Sequence, residues 1–386
     1  MPDIGIICEM NPIHNGHKYI IDHAKSIGAN RVVCIMSGNT VQRGEFAVAD
    51  KYLRAEALLK CGADLVVELP FPWCSGSAEY FANGGIEIAK NFCEILLFGS
   101  ECGNIEVLKK AATVSNTELF RKEFRERLTE GIQAAQLYHE MIKEKCEVEL
   151  FSNDLLGVEY IRAAQSVDAD IEFKTIARQG AAYNADNVTE DIFPSAKAIR
   201  KLWDNGEFEA SASFIPSEAF GIYKKAYCNG ELTDYSRLDP VWISFFRLHN
   251  GSFFEGITGA DGGIANRICS MARTSNTYSE LLESVKTKRY IDGHLRRVML
   301  YCLAGVMDDD LRMLPKEALL LAANEKGRAL LCENRKNNGF RIVTKPADLD
   351  FSLRQNILSD RINAVFSLSH NGANAESYLK KKPYII

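Results

Sequence analysis

The stretch Gly5-Ile6-Ile7-Cys8-Glu9-Met10-Asn11-Pro12-Ile13-His14-Asn15-Gly16-His17-Lys18 decides the fold. Ile4, Ile6, Ile7 and Cys8 form a short apolar strand. Asn11-Pro12 ends it, because the residue before a proline is pushed out of helical geometry. His14-Asn15-Gly16-His17 then opens a helix to about Ser26, with Tyr19, Ile20 and Ala24 on its apolar face. A strand running into a helix N-terminus brings free backbone N–H groups and the positive end of the helix dipole to one spot, where an anion binds. Gly16 removes a side chain where a ligand can lie against backbone. His14 and His17, three apart, share one helix face and can donate to a phosphate whose charge builds during transfer. Two plainer readings compete: half of a metal site, which lacks a Glu or Cys at metalloprotease spacing, and a pair of surface histidines. Position at the first strand-to-helix switch favours the nucleotide site.

Working outward, the same alternation recurs. Strands are expected at 31–36, 64–69 and 94–98, with helices at 50–59 and 77–91 between them. Near-continuous apolar strands of this kind give a parallel sheet covered on both faces. Residues 105–145 read as mostly helical, and the alternating charges of Glu118 to Arg127 read as a solvated helix face. A helix from Ser152 or Asn153, a strand at 170–176 and a helix from Ser195 follow. Beyond about residue 205 helical patterns dominate, at 217–226, 240–248, 263–273, 278–286 and 291–306. The fold class is therefore α/β, a Rossmann-like domain over 1–205, followed by a mainly helical domain over 206–386, with the boundary near Asn205-Gly206. A chain of 386 residues exceeds one compact core, which agrees with two domains.

Composition narrows the class. The chain is 46% hydrophobic and 25% charged with net charge −5, which excludes a uniformly basic nucleic-acid coat but permits a basic patch. Eleven cysteines without a C-x-x-C pair fit reduced thiols and no zinc framework; no metal ligand set is expected. There is no secretory signal pattern and no apolar run near the ~20 residues that span a bilayer. A cytoplasmic protein with no membrane association is the expectation, and no protein partner is called for.

The distinctive polar residues all follow strands of the first half, whose loops line one crevice in an open α/β sheet. The first loop supplies His14, Gly16 and His17, the second Gln42 and Arg43, the third Glu68, the fourth Gly99, Ser100 and Glu101. Asn153 and Arg178 can complete the rim. Arg43 and Arg178 are the candidate phosphate cations, since guanidinium forks match phosphate oxygens. No G-x-x-x-x-G-K-[ST] and no G-x-G-x-x-G after the first strand is present. In the second half Lys286 to Tyr290 and His294 to Arg297 place basic residues beside an aromatic, a pattern suited to an RNA backbone and a stacked base; a solvated helix start is the plainer reading. Asn334 to Gly339 and Lys380 to Lys382 add positive charge.

The Asn11-Pro12-Ile13-His14-Asn15-Gly16-His17 element resembles the H-x-G-H element of nucleotidyltransferases and class I aminoacyl-tRNA synthetases. Further motifs narrow the likeness: Met36-Ser37-Gly38 with Gln42 to Glu45, Asp64 to Pro70, Phe98 to Glu101, Asn153 with Leu156, Gly157, Glu159 and Tyr160, and Ser195-Ala196 with Ile199-Arg200. Together they resemble the bacterial tRNA(Met) cytidine acetate ligase family over nearly the whole chain, with a departure at Met10 where an aromatic is expected. The resemblance implies activation of acetate by ATP to acetyl-adenylate and pyrophosphate. Transfer of the acetyl group to N4 of the wobble cytidine, position 34, of elongator tRNA(Met) follows. It implies His14 and His17 as catalytic residues, ATP binding by Ile7, Cys8, Glu9, Met10, Asn11, Pro12, Ile13, His14, Asn15, Gly16, His17, Lys18, Tyr19 and Ile20, and further contacts from Gly99, Asn153 and Arg178. Mg²⁺ is expected on the ATP phosphates. Lys288, Arg289, Arg296 and Arg297 are the candidate tRNA contacts. The alternative is a small-molecule nucleotidyltransferase that moves a nucleoside monophosphate onto a phosphate ester, which would have no need of the basic second half.

Overall fold

The computed structural model describes residues 1–128, 134–177, 195–261, 263–287, 290–336 and 339–386. The N-terminal half runs β1 (Asp3–Cys8), α1 (Asn15–Ser26), β2 (Arg31–Ser37), a small ribbon of β3 (Thr40–Val41) and β4 (Glu45–Phe46), α2 (Lys51–Lys60), β5 (Leu65–Leu69), α3 (Ala78–Ala89) and β6 (Ile95–Ser100). Residues 105–145, expected as mostly helical, hold α4 (Ile105–Ser115), α5 (Glu118–Arg127) and α6 (Ala134–Cys146), followed by α7 (Ser152–Ser166), β7 (Glu172–Ala177) and α8 (Ala196–Asp204). The rest is α9 (Ser217–Cys228), α10 (Asp239–Leu248), α11 (Ile264–Ala272), α12 (Tyr278–Val285), α13 (Asp292–Ala304), α14 (Asp308–Arg312), β8 (Glu317–Ala323), α15 (Glu325–Lys336), β9 (Arg341–Val343), α16 (Arg354–Phe366), α17 (Ala375–Leu379) and β10 (Tyr384–Ile385).

The main sheet has the order β10-β8-β5-β2-β1-β6-β7, with β9 beside β8. From β5 to β7 every pairing is parallel. The chain builds outward from β1 through β2 to β5, then returns to the other side of β1 with β6 and β7. The order therefore reverses between β1 and β6, where a crevice must open at the carboxyl ends. Side chains of each strand alternate between two cores. Ile7, Val33, Ile35, Val67 and Phe98 face α3 and α7, while Ile6, Cys8, Cys34, Met36 and Val66 face α1 and α2. Helix α7 packs directly on the sheet because Gly157 has no side chain: a Cβ there would lie 2.4 Å from Phe98 Cε2.

One feature of the sheet departs from the sequence reading. Strand β8 comes from the C-terminal half and pairs antiparallel with β5, and β10 and β9 then pair parallel with β8. The sheet is thus mixed, and the helical half is fastened to it. Tyr301 Oη donates to the Ser75 carbonyl at 2.8 Å, Trp73 Nε1 to the Met313 carbonyl at 2.8 Å, and Tyr235 Oη to the Phe46 carbonyl at 3.0 Å. Buried Trp242, Phe246 and Phe254 belong to the same apolar core as the α3 face of the sheet.

Candidate active site

The crevice between β1 and β6 is a cleft of about 230 Å³ lined from both faces of the sheet. Strand β1 ends at Cys8, and Met10 turns the chain outward with a φ of 50°, a left-handed conformation uncommon for any residue but glycine. Two fixtures hold the turn. The Asn11 amide oxygen accepts from the Val48 N–H at 2.7 Å. Beneath, the fully buried Arg54 guanidinium donates to the carbonyls of Ala49 (3.0 Å), Glu9 (2.6 Å), Ser37 (3.1 Å) and Gly38. Burial lowers the pKa of Arg54; its neighbours are carbonyl dipoles, so its role is to tie together the carboxyl ends of β1 and β2.

The N-terminus of α1 is built by its own two histidines. His14 is the N-cap, and its Nδ1 accepts the Gly16 N–H at 3.1 Å. One turn on, His17 Nδ1 accepts the His14 N–H at 3.2 Å. The rings lie with centroids 3.8 Å apart and planes 33° apart, and both line the cleft. With each Nδ1 accepting from backbone, the neutral form of each ring carries its proton on Nε2, an assignment that follows from hydrogen-bond geometry. The expectation of free backbone N–H groups at this helix end needs correction. The Asn15 N–H bonds the Phe214 carbonyl at 2.9 Å, the His17 and Lys18 N–H groups bond the His14 carbonyl, and the Gly16 N–H is taken by His14. The helix dipole still favours an anion here, and the two imidazoles line the cleft beside it.

The structure sorts the expected ATP set. Ile7, Cys8, Glu9, Met10, Asn11, His14, Gly16, His17, Tyr19, Ile20, Gly99 and Asn153 line the cleft, as does the phosphate candidate Arg43. Four members do not. Pro12 sits in the turn behind it, the Ile13 N–H bonds Tyr223 Oη at 3.3 Å, Asn15 Nδ2 donates to the Ser213 carbonyl at 2.8 Å, and Lys18 pairs with Asp22. Asn153 is held by Glu101, whose Oε1 accepts from Asn153 Nδ2 at 2.6 Å and whose Oε2 accepts the Asn153 and Asp154 N–H groups at the start of α7. Glu68 leaves the site altogether: it points to a buried ion pair with Lys51 at 2.7 Å, both side chains no more than 5% exposed. Arg178, Lys288 and Arg289 lie outside the described residues.

Two residues with weight in the site escaped individual notice in the sequence. Arg200, on α8, lines the cleft and donates through Nη1 to the Asn11 carbonyl at 2.6 Å. Its other nitrogen lies 3.7 Å from Glu45 Oε2. Glu45 also lines the cleft, and its Oε1 pairs with Arg296 of α13. Next to it Gly44, at φ +75°, presses on α13: a Cβ would meet the Arg297 nitrogen at 2.5 Å. Arg297 itself reaches the Gln42 carbonyl at 3.4 Å, and burial lowers its pKa. The loop from Gln42 to Glu45 therefore joins the cleft to the helix that carries Arg296 and Arg297. No local pattern could reveal a network that spans more than 250 positions; the Gln42 to Glu45 and Ser195-Ala196…Ile199-Arg200 runs pointed to its parts but not to their joining.

The remaining wall is apolar, from Phe81, Phe98, Leu156 and Tyr160, with Phe98 and Tyr160 edge to face at 5.6 Å. A lining that combines cationic side chains, two imidazoles and an apolar wall suits a nucleoside triphosphate beside a small organic group.

The HIGH Nucleotidyl Transferase family model matches residues 1–380. The tRNA(Met) cytidine acetate ligase of Acetivibrio thermocellus is 34% identical over 370 residues, covering 90% of this chain and 89% of that relative. The chain belongs to the tRNA(Met) cytidine acetate ligase family. Another member, from Caldanaerobacter subterraneus, is 32% identical over 94% of this chain and 93% of its own. Family structures agree. Thermotoga maritima TmcAL bound with alpha-thio ATP superposes with a TM-score of 0.85 at 28% identity, and its apo form with 0.88 at 29%, both over the full length of each chain. The family's ATP-analogue complex thus shares the fold that places this cleft.

Proposed function

We propose that this chain activates acetate with ATP as acetyl-adenylate and transfers the acetyl group to N4 of the wobble cytidine, position 34, of elongator tRNA(Met). The observation that carries the reading is the imidazole pair at the β1–α1 turn, fixed by reciprocal backbone capping at the switch point of the sheet. The names of the relatives supply the substrate. In this reading the ATP phosphates lie over the start of α1. Nε2–H groups of His14 and His17 donate to the α-phosphate as acetate attacks it and its charge grows. Acetate is already anionic, so this step needs positioning and charge stabilisation rather than a base. Arg43 and Arg178 are the proposed cations for the departing pyrophosphate, and Arg200 holds the Asn11 carbonyl that precedes the histidine turn.

Among the described residues no three His, Cys, Asp or Glu side chains gather to hold a metal. Mg²⁺ would accompany the ATP phosphates and neutralise part of their charge there. We assign tRNA contacts to Arg296 and Arg297 of α13 and, from the sequence, to Lys288 and Arg289, and the working compartment to the cytoplasm, where tRNA and eleven free thiols belong together. No helix among the described residues is long and apolar enough to cross a membrane. Acetate-dependent exchange of labelled pyrophosphate into ATP tests the first half-reaction; its absence at saturating ATP, Mg²⁺ and acetate would refute adenylate formation.

A further inference from the structure

The second half-reaction releases a proton, and the cleft offers few places for it. As the cytidine N4 attacks the acetyl carbonyl carbon, an N–C bond forms and the C–O bond to the phosphate breaks. AMP leaves with that electron pair. Of the two N4 hydrogens one stays in the amide and one must go to a base. Among the described lining residues the carboxylates are Glu9 and Glu45. Glu45 is engaged by Arg296 on one oxygen and lies 3.7 Å from Arg200 on the other, which makes it a poor acceptor. The imidazoles of His14 and His17 use Nδ1 for backbone N–H groups, so in their neutral form they present donors. The Cys8 thiol lies in the same wall, and burial raises its pKa well above the ordinary value, which keeps it protonated.

Glu9 remains. It stands at the carboxyl end of β1, two residues before the turn that leads to the histidines, and lines the cleft. Its Oε1 accepts the Gln42 N–H at 2.7 Å, and its own carbonyl is held by Arg54 at 2.6 Å, so the side chain is anchored at both ends. Among the described residues no hydrogen bond is made to Oε2. We propose that Glu9 is the base of the transfer step, taking the N4 proton on Oε2 while the amine attacks the acetyl-adenylate, and returning it to solvent after AMP leaves. This role rests on the acetyl-transfer reading above. Burial raises the Glu9 pKa, partly opposed by the Gln42 N–H and by the charges of Arg200 and Arg43. That shift makes the carboxylate a stronger base.

The two half-reactions separate the role from a structural one. Glu9→Gln keeps the acceptor for the Gln42 N–H and nearly the same volume. In the full chain, acetyl transfer to tRNA in a single turnover should fall about 10²-fold or more, the scale of losing one general base, and at least tenfold further than acetate-dependent pyrophosphate exchange. Glu9→Asp, which keeps the charge and shortens the reach, should transfer at a rate between the two. Equal losses in both half-reactions, or an unimpaired transfer by E9Q, would overturn the role, as would E9D no better than E9Q. Absence of acetate-dependent exchange in the unaltered protein would instead overturn the acetyl-adenylate reading on which the role depends.

Discussion

Replacing His17 with alanine separates the chemistry of the site from the stability of the helix that carries it. The side chain does two things. Its Nδ1 accepts the His14 N–H at 3.2 Å, half of the reciprocal cap on α1, and its Nε2 carries the donor assigned to the α-phosphate. Losing the cap acceptor costs about 1 kcal/mol, because water in the cleft can replace it. In a chain of 386 residues that lowers Tm by only a few degrees. Losing the transition-state donor costs about 2.7–4 kcal/mol of barrier, or roughly 10²–10³ in rate. His17→Ala should therefore fold, melt within a few degrees of the parent, bind ATP within a few-fold of it, and exchange pyrophosphate roughly 10²–10³ times more slowly. His17→Asn restores a cap acceptor and should recover the Tm without the rate. Calorimetry and acetate-dependent pyrophosphate exchange on the three proteins decide the matter. A near-parental exchange rate in His17→Ala, or recovery of rate by His17→Asn, would show that the imidazole serves the helix and not the phosphate.

The other predictions concern the scaffold. Lys51→Met strands the buried Glu68 carboxylate and should cost about 3–5 kcal/mol in denaturant unfolding, much of it regained in the Lys51→Met/Glu68→Leu double variant. Arg200→Lys cannot reach both the Asn11 carbonyl and Glu45, so the turn before His14 loosens; pyrophosphate exchange should slow about tenfold or more, since small misplacements can cost as much as 10². Gly157→Ala drives a methyl into Phe98 and should destabilise by about 1–3 kcal/mol, with helix content retained by circular dichroism. Burial lowers the pKa of His370 below its ordinary 6.5, so the unfolded chain takes up a proton there before the folded one does. Stability from this site is full above pH 6.5 and declines as pH falls toward the folded value; His370→Gln should flatten that part of a Tm-versus-pH curve.

What could be read from the sequence follows physical range. The β1–α1 unit was legible because its signals are local: a buried apolar run, a proline and a helix face within twenty residues. Strand β8 was not. Ala318 to Ala323 is a continuous Ala/Leu run that suits a buried strand and a helix equally, and only its pairing with β5 decides. The same holds in the site. His14, Gly16 and His17 announce themselves by spacing, but the engagement of the backbone N–H groups beside them does not, because Phe214, some 200 residues away, takes the Asn15 N–H. Glu68 illustrates the opposite error. It sits where a rim residue should, at the end of a strand, but its side chain falls on the Lys51 side of the sheet, a matter of one position in an alternation of period two.

One reaction tests the acetyl transfer most directly. The protein is incubated with ATP, Mg²⁺, labelled acetate and elongator tRNA(Met), and the recovered RNA is digested to nucleosides. Label in N4-acetylcytidine from position 34, absent without ATP and absent from a transcript with uridine there, is the predicted result. An RNA that stays unlabelled, although the protein is folded and binds ATP, would contradict it.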